Sequence, residues 1–148
     1  MAYAGHSFLP QIYALMSARL TYLWTCAITH SGGDPRFRNL KIQTKWKPIL
    51  CFGKPPVDPW WDWFTDVATG TREKDTHPWQ QAVAEAEHFI RVLTRPEGLV
   101  CDPFCGGGTT CLTARNLGRE YIAFEIDEGS AKRATARLAS LGVPDDGD

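Results

Sequence analysis

Apolar positions recur with helical or strand periods along much of the chain, and the first third predicts one helix and three strands. A short apolar run at residues 2–4 predicts a strand, and a helix follows it, with Ser7 as its cap and Pro10 in its first turn. The helix carries an apolar stripe at helical spacing that consists of Ile12, Leu15, Met16 and Leu20. Residues 21–29 and 46–52 are rich in Thr, aromatic and branched side chains, which predicts two strands that pair antiparallel across a long connection.

The middle of the chain breaks this pattern. Four prolines and a cluster of tryptophans fall between residues 53 and 78, so we predict an irregular excursion there. Residues 80–93 return to helical spacing and predict an amphipathic helix. Its predicted apolar face consists of Val83, Ala86, Ile90 and Leu93.

The last third has the clearest pattern, a strand-helix-strand-helix unit. Residues 99–101 predict a buried strand, 104–110 a glycine-rich turn, 110–117 a helix that ends at Gly118, and 121–124 an apolar strand. The final helix carries an apolar stripe of Ala131, Ala134, Leu138 and Leu141. Because such crossovers are right-handed and join parallel strands, the chain predicts the α/β class. We expect a mostly parallel Rossmann-like sheet with an antiparallel hairpin.

Composition excludes several classes of protein. The chain has 148 residues, of which 43% are hydrophobic and 22% charged, enough for the packed core of one domain. A formal net charge of −1 argues against a uniformly basic nucleic-acid coat, although a local basic patch is compatible with it. No apolar run approaches the ~20 residues that a membrane helix needs, and no Lys or Arg precedes Arg19. We therefore expect neither a membrane span nor a secretory signal.

The five cysteines lack the spacing of a disulfide framework, which favours reduced thiols and a cytoplasmic location. A metal site would have to recruit Cys101, Cys105 and Cys111, together with His77 or His88. These residues form neither a CxxC pair nor a His-x3-His pair, so we expect no metal site.

The glycine-rich turn carries the candidate chemistry. Residues 102–110 read DPFCGGGTT, and glycine lets the backbone approach a ligand while the following helix offers unpaired N–H groups. Glu125 stands about 20 residues after Gly106, at the tip of the next strand. In a nucleoside-binding βαβ unit, a carboxylate at that place accepts hydrogen bonds from the ribose hydroxyls.

Three ligands compete for this turn. A phosphate-binding loop needs Lys after the glycines, and Thr109 follows Gly108 instead. A dinucleotide motif accommodates Gly106 and Gly108 but has Cys111 at its third glycine position, and Asp102 would repel a pyrophosphate. The ammonium and sulfonium groups of S-adenosylmethionine suit the carboxylate of Asp102. The residues favour S-adenosylmethionine, and a nicotinamide-dependent oxidoreductase is the alternative.

DPFCGGGTT resembles the DPFxGxGTT loop of the DNA N6-adenine/N4-cytosine methyltransferase family. The segment THPWQQ at 76–81 is similar to the family's HPxQK element, and YIAFEID at 121–127 resembles the strand that carries the ribose-binding acid. Gln81 replaces the family's usual Lys, and Gly107 its usual Ser. The cofactor-binding residues that the resemblance implies are His77, Gln80, Asp102, Phe104, Gly106, Gly108, Thr109 and Glu125.

The resemblance implies an enzyme that transfers a methyl group from S-adenosylmethionine to an exocyclic amine in DNA, as in restriction–modification systems. The amine is N6 of adenine or N4 of cytosine, and the residues leave both targets open. The family's catalytic tetrapeptide, [DNS]-P-P-[YFW], does not occur in the 148 residues, so no catalytic residue is predicted. KPPV at 54–57 lacks the polar acceptor and the aromatic ring, and DPWW at 58–61 lacks the second proline.

Residues 1–30 resemble the strand and helix that follow the tetrapeptide in permuted members of the family. We therefore expect one partial domain (1–148) that lacks its central catalytic strand, between the strand at Leu99 and the one at Ala2, and is catalytically incomplete. Its expected parts are the remnant of a catalytic half (1–52), a loop region like a target-recognition insert (31–75) and a cofactor-binding half (76–142). A complementing catalytic half or a homo-oligomer is the expected protein partner. The alternative is a non-catalytic remnant or partner subunit that binds S-adenosylmethionine and DNA.

A local basic stretch interrupts the neutral charge balance. Between residues 34 and 54 the only acid is Asp34, whereas basic side chains recur throughout. Such a stretch predicts contacts with DNA phosphates, and a solvated basic loop is the alternative. The candidate DNA-binding residues are Arg36, Arg38, Lys41, Lys45 and Lys47.

Overall fold

The computed structural model of the chain describes residues 1–30, 36–37, 40–57, 61, 63–70 and 83–140. They belong to two compact units, Met1–Thr71 and Arg72–Asp148. Helices and strands occur in both units, which confirms the predicted α/β class. The division into a catalytic remnant (1–52), a target-recognition region (31–75) and a cofactor-binding half (76–142) stays a prediction. No helix within the described ranges is long and apolar enough to cross a membrane.

The described part of the first unit contains a four-stranded mixed sheet. Its elements are β1 (Ala2–Tyr3), a 3-10 helix (His6–Phe8), α1 (Leu9–Ser17), β2 (Thr21–His30), β3 (Arg36–Phe37), β4 (Ile42–Gln43), β5 (Trp46–Gly53) and β6 (Val67–Gly70). The strand order is β1-β5-β2-β6, and β3 and β4 form a separate hairpin. The predicted antiparallel pair is confirmed, because Thr25 of β2 lies opposite Leu50 of β5.

The core of the first unit lies between β2 and β5. Cys26, Ile28 and Ile49 are completely buried, with 0% exposure. β5 is also buried at consecutive positions from Pro48 to Cys51, as expected of a strand covered on both faces.

Two sequence predictions for α1 are wrong. Ser7 does not cap the helix, because it lies within the preceding 3-10 helix and α1 begins after Phe8 without a side-chain cap. The predicted apolar stripe includes Leu15, which is 75% exposed, whereas Ile12 and Met16 are half-buried. Pro10 lies in the first turn, as predicted.

The predicted irregular excursion contains a strand that the pattern missed. β6 has only four residues and no run of large apolar side chains, so periodicity gives no signal for it. It is held by parallel pairing with Ala27–His30 of β2. Just before it, Asp66 accepts a hydrogen bond from Trp24 Nε1 at 2.8 Å, and its carbonyl accepts one from the Ala27 N–H at 2.8 Å.

Over residues 83–140, the second unit contains three helices and a parallel pair of strands. Its elements are α2 (Val83–Leu93), β7 (Leu99–Asp102), α3 (Thr109–Asn116), β8 (Glu120–Ala123) and α4 (Glu128–Ser140). β7 and β8 pair parallel in the register Leu99–Glu120 to Asp102–Ala123, as the crossover predicts. Of the five strand pairings described in the chain, three are antiparallel and two parallel. The sheets therefore contain the predicted antiparallel pair of β2 and β5. They also contain more antiparallel pairing than the mostly parallel sheet that the sequence predicts.

Helices α2 and α3 pack on one face of the β7–β8 pair. Ala86, Ile90 and Ala114 form the buried cluster, and Val100 and Tyr121 pack against it. Ala86 and Ile90 were predicted core positions, and Leu141 of the predicted α4 stripe lies outside the described residues. The prediction that residues 99–101 form a buried strand is wrong for two of its side chains, because Leu99 and Cys101 are exposed in this unit.

Candidate functional site

The carboxyl ends of β7 and β8 bring two carboxylates to the same edge. Asp102 is the last residue of β7, and Glu125 follows β8 after one intervening residue, Phe124. The ladder continues past the strands, since the Phe124 N–H donates to the Asp102 carbonyl and the Cys105 N–H donates to the Phe124 carbonyl, both at 3.0 Å. The glycine turn is therefore hydrogen-bonded to the segment that carries Glu125.

The three glycines of the turn have different structural requirements. Gly106 and Gly108 adopt positive φ angles of 50° and 75°, which side chains other than glycine rarely tolerate. A Cβ atom on Gly108 would lie 3.0 Å from the Cβ of Ala134 in α4, whereas a Cβ on Gly106 or Gly107 would meet nothing within 4 Å. Position 108 thus requires glycine for both its backbone conformation and its packing, and position 106 for its conformation alone. Neither reason requires glycine at position 107.

The Glu125 carboxylate is oriented by backbone N–H groups. Its Oε2 accepts a hydrogen bond from the Gly106 N–H at 2.8 Å, and its Oε1 accepts one from the Asp127 N–H at 2.8 Å. These hydrogen bonds, first that of Asp127 and then that of Gly106, hold the pKa of Glu125 below its ordinary value. The residue is therefore an anion at neutral pH, and each oxygen keeps a lone pair for a further donor.

The surroundings of the carboxylates combine apolar and neutral groups. Phe104, in the glycine turn, is 87% exposed, and Ile126, next to Glu125 in sequence, is 101% exposed. Burial raises the pKa of Cys111 to about 11 and also raises that of Cys105, so both thiols are protonated at neutral pH. The two thiols therefore add no charge to Asp102 and Glu125.

Thr109 and Arg137 together hold the turn against α4. Thr109 was predicted to contact a cofactor, and its side chain is buried, with the residue 7% exposed. Arg137 Nη1 donates to Thr109 Oγ1 at 3.0 Å and to the Gly107 carbonyl at 3.3 Å. In the sequence Arg137 is one of three cations of the last helix, with Lys132 and Arg133. Only its contacts 28 and 30 residues away distinguish it from the other two.

We expect the substitution Arg137→Met to lower the free energy of unfolding by about 1–2 kcal/mol, because it removes two hydrogen bonds from a charged, half-buried donor. Urea unfolding followed by circular dichroism measures the change. The matched control is Lys132→Met, which removes an exposed ion pair with Glu128 on the same helix and should cost less than about 0.5 kcal/mol. Equal effects of the two substitutions would show that Arg137 does not hold the turn.

Other predicted site residues are placed as follows. His77, Gln80 and Arg38 lie outside the described residues. Arg36 is part of β3, and Lys41, Lys45 and Lys47 are exposed in the first unit. Within the described ranges no three His, Cys, Asp or Glu side chains are grouped as metal ligands, and all five cysteines are free thiols.

A sequence model of a protein family described as DNA methylase matches residues 42–136, which is more than half of the chain. The chain belongs to this DNA methylase family. The matched span contains the glycine turn, both carboxylates and the basic segment from Ile42 onward. The resemblance stated from the sequence is confirmed.

Individual relatives agree with this assignment. The type II methyltransferase M.ScaI of Streptomyces caespitosus is 39% identical over 90 residues, which cover 58% of this chain and 29% of M.ScaI. "Putative methylase YubD" of Escherichia coli (strain K12) is 29% identical over 137 residues, which cover 93% of this chain and 51% of YubD. The chain thus spans about half, or less, of the length of these curated relatives.

The fold is that of known methyltransferase structures. The crystal structure of the M1.HpyAVI–SAM complex superposes with a TM-score of 0.79 at 23% identity and covers 92% of this chain and 72% of the other. The Rossmann-like fold predicted from the glycine turn and its flanking strands is confirmed.

Proposed function

We propose that this chain is the S-adenosylmethionine-binding part of a DNA methyltransferase that acts on the exocyclic amine of adenine (N6) or cytosine (N4). One observation carries the proposal: the Glu125 carboxylate is hydrogen-bonded to the glycine turn, beside Asp102, at the carboxyl edge of two parallel strands. Ligands of open α/β sheets bind at that edge. The relatives support the same assignment, since one is named a type II methyltransferase and another was solved with SAM.

The residues of the site fit this cofactor. Each oxygen of Glu125 already accepts one backbone N–H and retains a lone pair for a ribose hydroxyl. Asp102 supplies a negative charge for the cationic part of the cofactor, and the open side chains of Phe104 and Ile126 offer apolar surface to a purine. Gly106, beside which the space is open, lets the backbone approach the ligand, whereas the missing Cβ of Gly108 makes room for Ala134. We assign Thr109 to holding the turn, by its bond to Arg137.

By the family resemblance, His77 and Gln80 close over the methionine end of the cofactor. When bound, S-adenosylmethionine supplies an electrophilic methyl group. The protein must orient the amine of the target base with hydrogen-bond acceptors and stack the base on an aromatic ring.

The 148 residues do not contain the tetrapeptide that performs this second task in the family. β1 and β7 each pair with one strand among the described residues. We propose that the chain alone is catalytically incomplete. Methyl transfer then depends on a complementing catalytic half, or on assembly with other copies, in the cytoplasm. A non-catalytic subunit that binds the cofactor and DNA is the second candidate, and the absent tetrapeptide favours it.

Two measurements on the 148-residue chain test the proposal. In calorimetric titrations we expect binding of S-adenosylmethionine and no binding of NAD at the same concentrations. Preferential binding of NAD would overturn the cofactor assignment. With tritiated S-adenosylmethionine and DNA of mixed sequence, we expect no methyl transfer above that of the Glu125→Ala variant, and robust transfer would contradict catalytic incompleteness.

A further inference from the structure

Two buried thiols lie in contact at the centre of the sheet of the first unit. The sulfur atoms of Cys26 in β2 and Cys51 in β5 are 3.6 Å apart, and the two residues are 0% and 7% exposed. β5 and β2 are the inner strands in the order β1-β5-β2-β6 of the described sheet. The candidate cofactor site belongs to the second unit and uses neither residue, so any chemistry of this pair is additional to cofactor binding.

Hydrogen bonds give the two thiols different roles. Cys51 Sγ donates its hydrogen to the Ile49 carbonyl at 3.9 Å, so Cys26 is the donor in the contact between the two sulfur atoms. This bond from Cys26 holds the pKa of Cys51 below its ordinary value, whereas the same bond and burial raise the pKa of Cys26. Cys51 therefore ionises first and is also the more exposed of the two, which makes it the nucleophile of the pair.

The strand register decides how readily the two sulfur atoms can bond. Cys26 lies opposite Ile49, and Cys51 lies opposite Trp24. The two cysteines are therefore diagonal neighbours on one face of the β2–β5 ladder. Diagonal Cα atoms in antiparallel sheets are about 7–8 Å apart, and a disulfide forms without backbone movement only up to roughly 7 Å. A bridge between these positions therefore requires the two strands to shift.

Two features make such a bridge reversible. The register of β2 and β5 is interrupted between Tyr22 and Trp24, so the ladder is broken beside Cys51 and its strands can shift there. A disulfide that forms against the preferred spacing of its strands is strained, and strained disulfides are the readily reduced ones. The register therefore predicts a bond that opens again rather than a permanent structural one.

We propose that Cys26 and Cys51 are an oxidisable pair, which a hydroperoxide such as hydrogen peroxide converts reversibly into a disulfide between β2 and β5. The bridge joins the two inner strands, so oxidation alters the sheet of the first unit at its centre. The proposal is independent of the proposed cofactor and substrate.

The reaction takes place in two steps. The Cys51 sulfur attacks one oxygen of hydrogen peroxide and the O–O bond breaks, which leaves a sulfenic acid on Cys51 and one water that takes up the thiol proton. The Cys26 sulfur then attacks the sulfur of the sulfenic acid, the S–S bond forms, and the hydroxyl group leaves with the Cys26 proton as a second water. Two electrons pass from the two thiols to the peroxide.

Peroxide oxidation of the reduced 148-residue chain, followed by peptide mapping, tests the inference. Trypsin places Cys26 in the peptide 20–36, Cys51 in 46–72 and the other three cysteines together in 92–115. We expect the first two peptides to be joined about tenfold more often than any other pair, because the fold holds their thiols in contact. Reduced glutathione should separate them again, since the bond is strained.

Two comparisons make the result specific to the folded protein and to this pair. The same treatment in urea, where the chain is unfolded, should join the three peptides without preference. In the Cys26→Ser variant, Cys51 should stop at the sulfenic acid, which dimedone labels. The matched control is Cys111→Ser, which removes another buried thiol, 1% exposed, and should still form the bridge.

Three outcomes would overturn the inference. They are the same preference in the folded and the unfolded chain, oxidation of Cys51 to a sulfinic acid without a bridge, and no reaction of Cys51 at all. The comparison of the folded and the unfolded chain needs no substitution, so it decides the question even where Cys26→Ser does not fold.

Discussion

Replacing Gly108 by alanine lowers the free energy of unfolding of the second unit by about 3 kcal/mol. Alanine at a φ angle of 75° is strained, and its Cβ would lie 3.0 Å from the Cβ of Ala134, so the turn and α4 have to move apart. Urea unfolding followed by circular dichroism at 222 nm measures the loss, since three of the four α-helices in the described residues belong to this unit.

Two neighbouring glycines supply the controls for this prediction. Gly106→Ala should cost about 1 kcal/mol, because the φ angle of 50° is unfavourable but the space is open. Gly107→Ala should change the free energy of unfolding by less than about 0.5 kcal/mol, or raise it, because neither conformation nor packing opposes a Cβ there. The order of the three effects is the test, and a Gly107 variant as unstable as the Gly108 variant would contradict it.

The substitution Glu125→Gln weakens binding of S-adenosylmethionine about 100-fold, on the proposed function. A glutamine amide presents an NH₂ group where the carboxylate accepts from the Gly106 or Asp127 N–H, so two donors would face each other. The variant also loses a charged acceptor for the ribose hydroxyls. Calorimetric titration measures the affinity, and Glu120→Gln, an exposed glutamate at the start of β8, is the matched control.

The pH dependence of S-adenosylmethionine binding is an independent test of the role of Glu125. Because its pKa is lowered in the folded protein, Glu125 stays a carboxylate as the pH falls to the ordinary glutamate pKa of about 4.3, and it is protonated only below that value. Affinity should therefore stay constant from neutral pH to about that value and decline only below it. The Glu125→Gln variant should show a smaller decline over the same range, and an identical decline would assign the titration to another group.

Elements with a strong local period were predicted correctly, whereas β6, which depends on pairing alone, was not. β2 and β5 carry apolar side chains at strand spacing and are present close to their predicted bounds. α2 ends at Leu93 as predicted, and α4 contains the predicted stripe positions Ala131, Ala134 and Leu138. β6 has no such spacing and exists because β2 offers it a parallel partner. The prediction that Leu99 is buried was also wrong, since Leu99 is 54% exposed. The sequence of a single strand does not indicate which of its two faces a helix will cover.

The sequence by itself determined the chemistry of the candidate site, since a glycine turn after one strand and an acid after the next are local patterns of residue type. It also determined the positive charge around residues 36–57, which needs only counting. Only the tertiary structure decided which of the three glycines cannot be replaced, because the clash at Gly108 comes from a residue of another helix. It likewise separated Arg137 from the other cations of α4 and brought His6 against Trp46. Such contacts join residues tens of positions apart, so they cannot be predicted from the periodicity of a single segment.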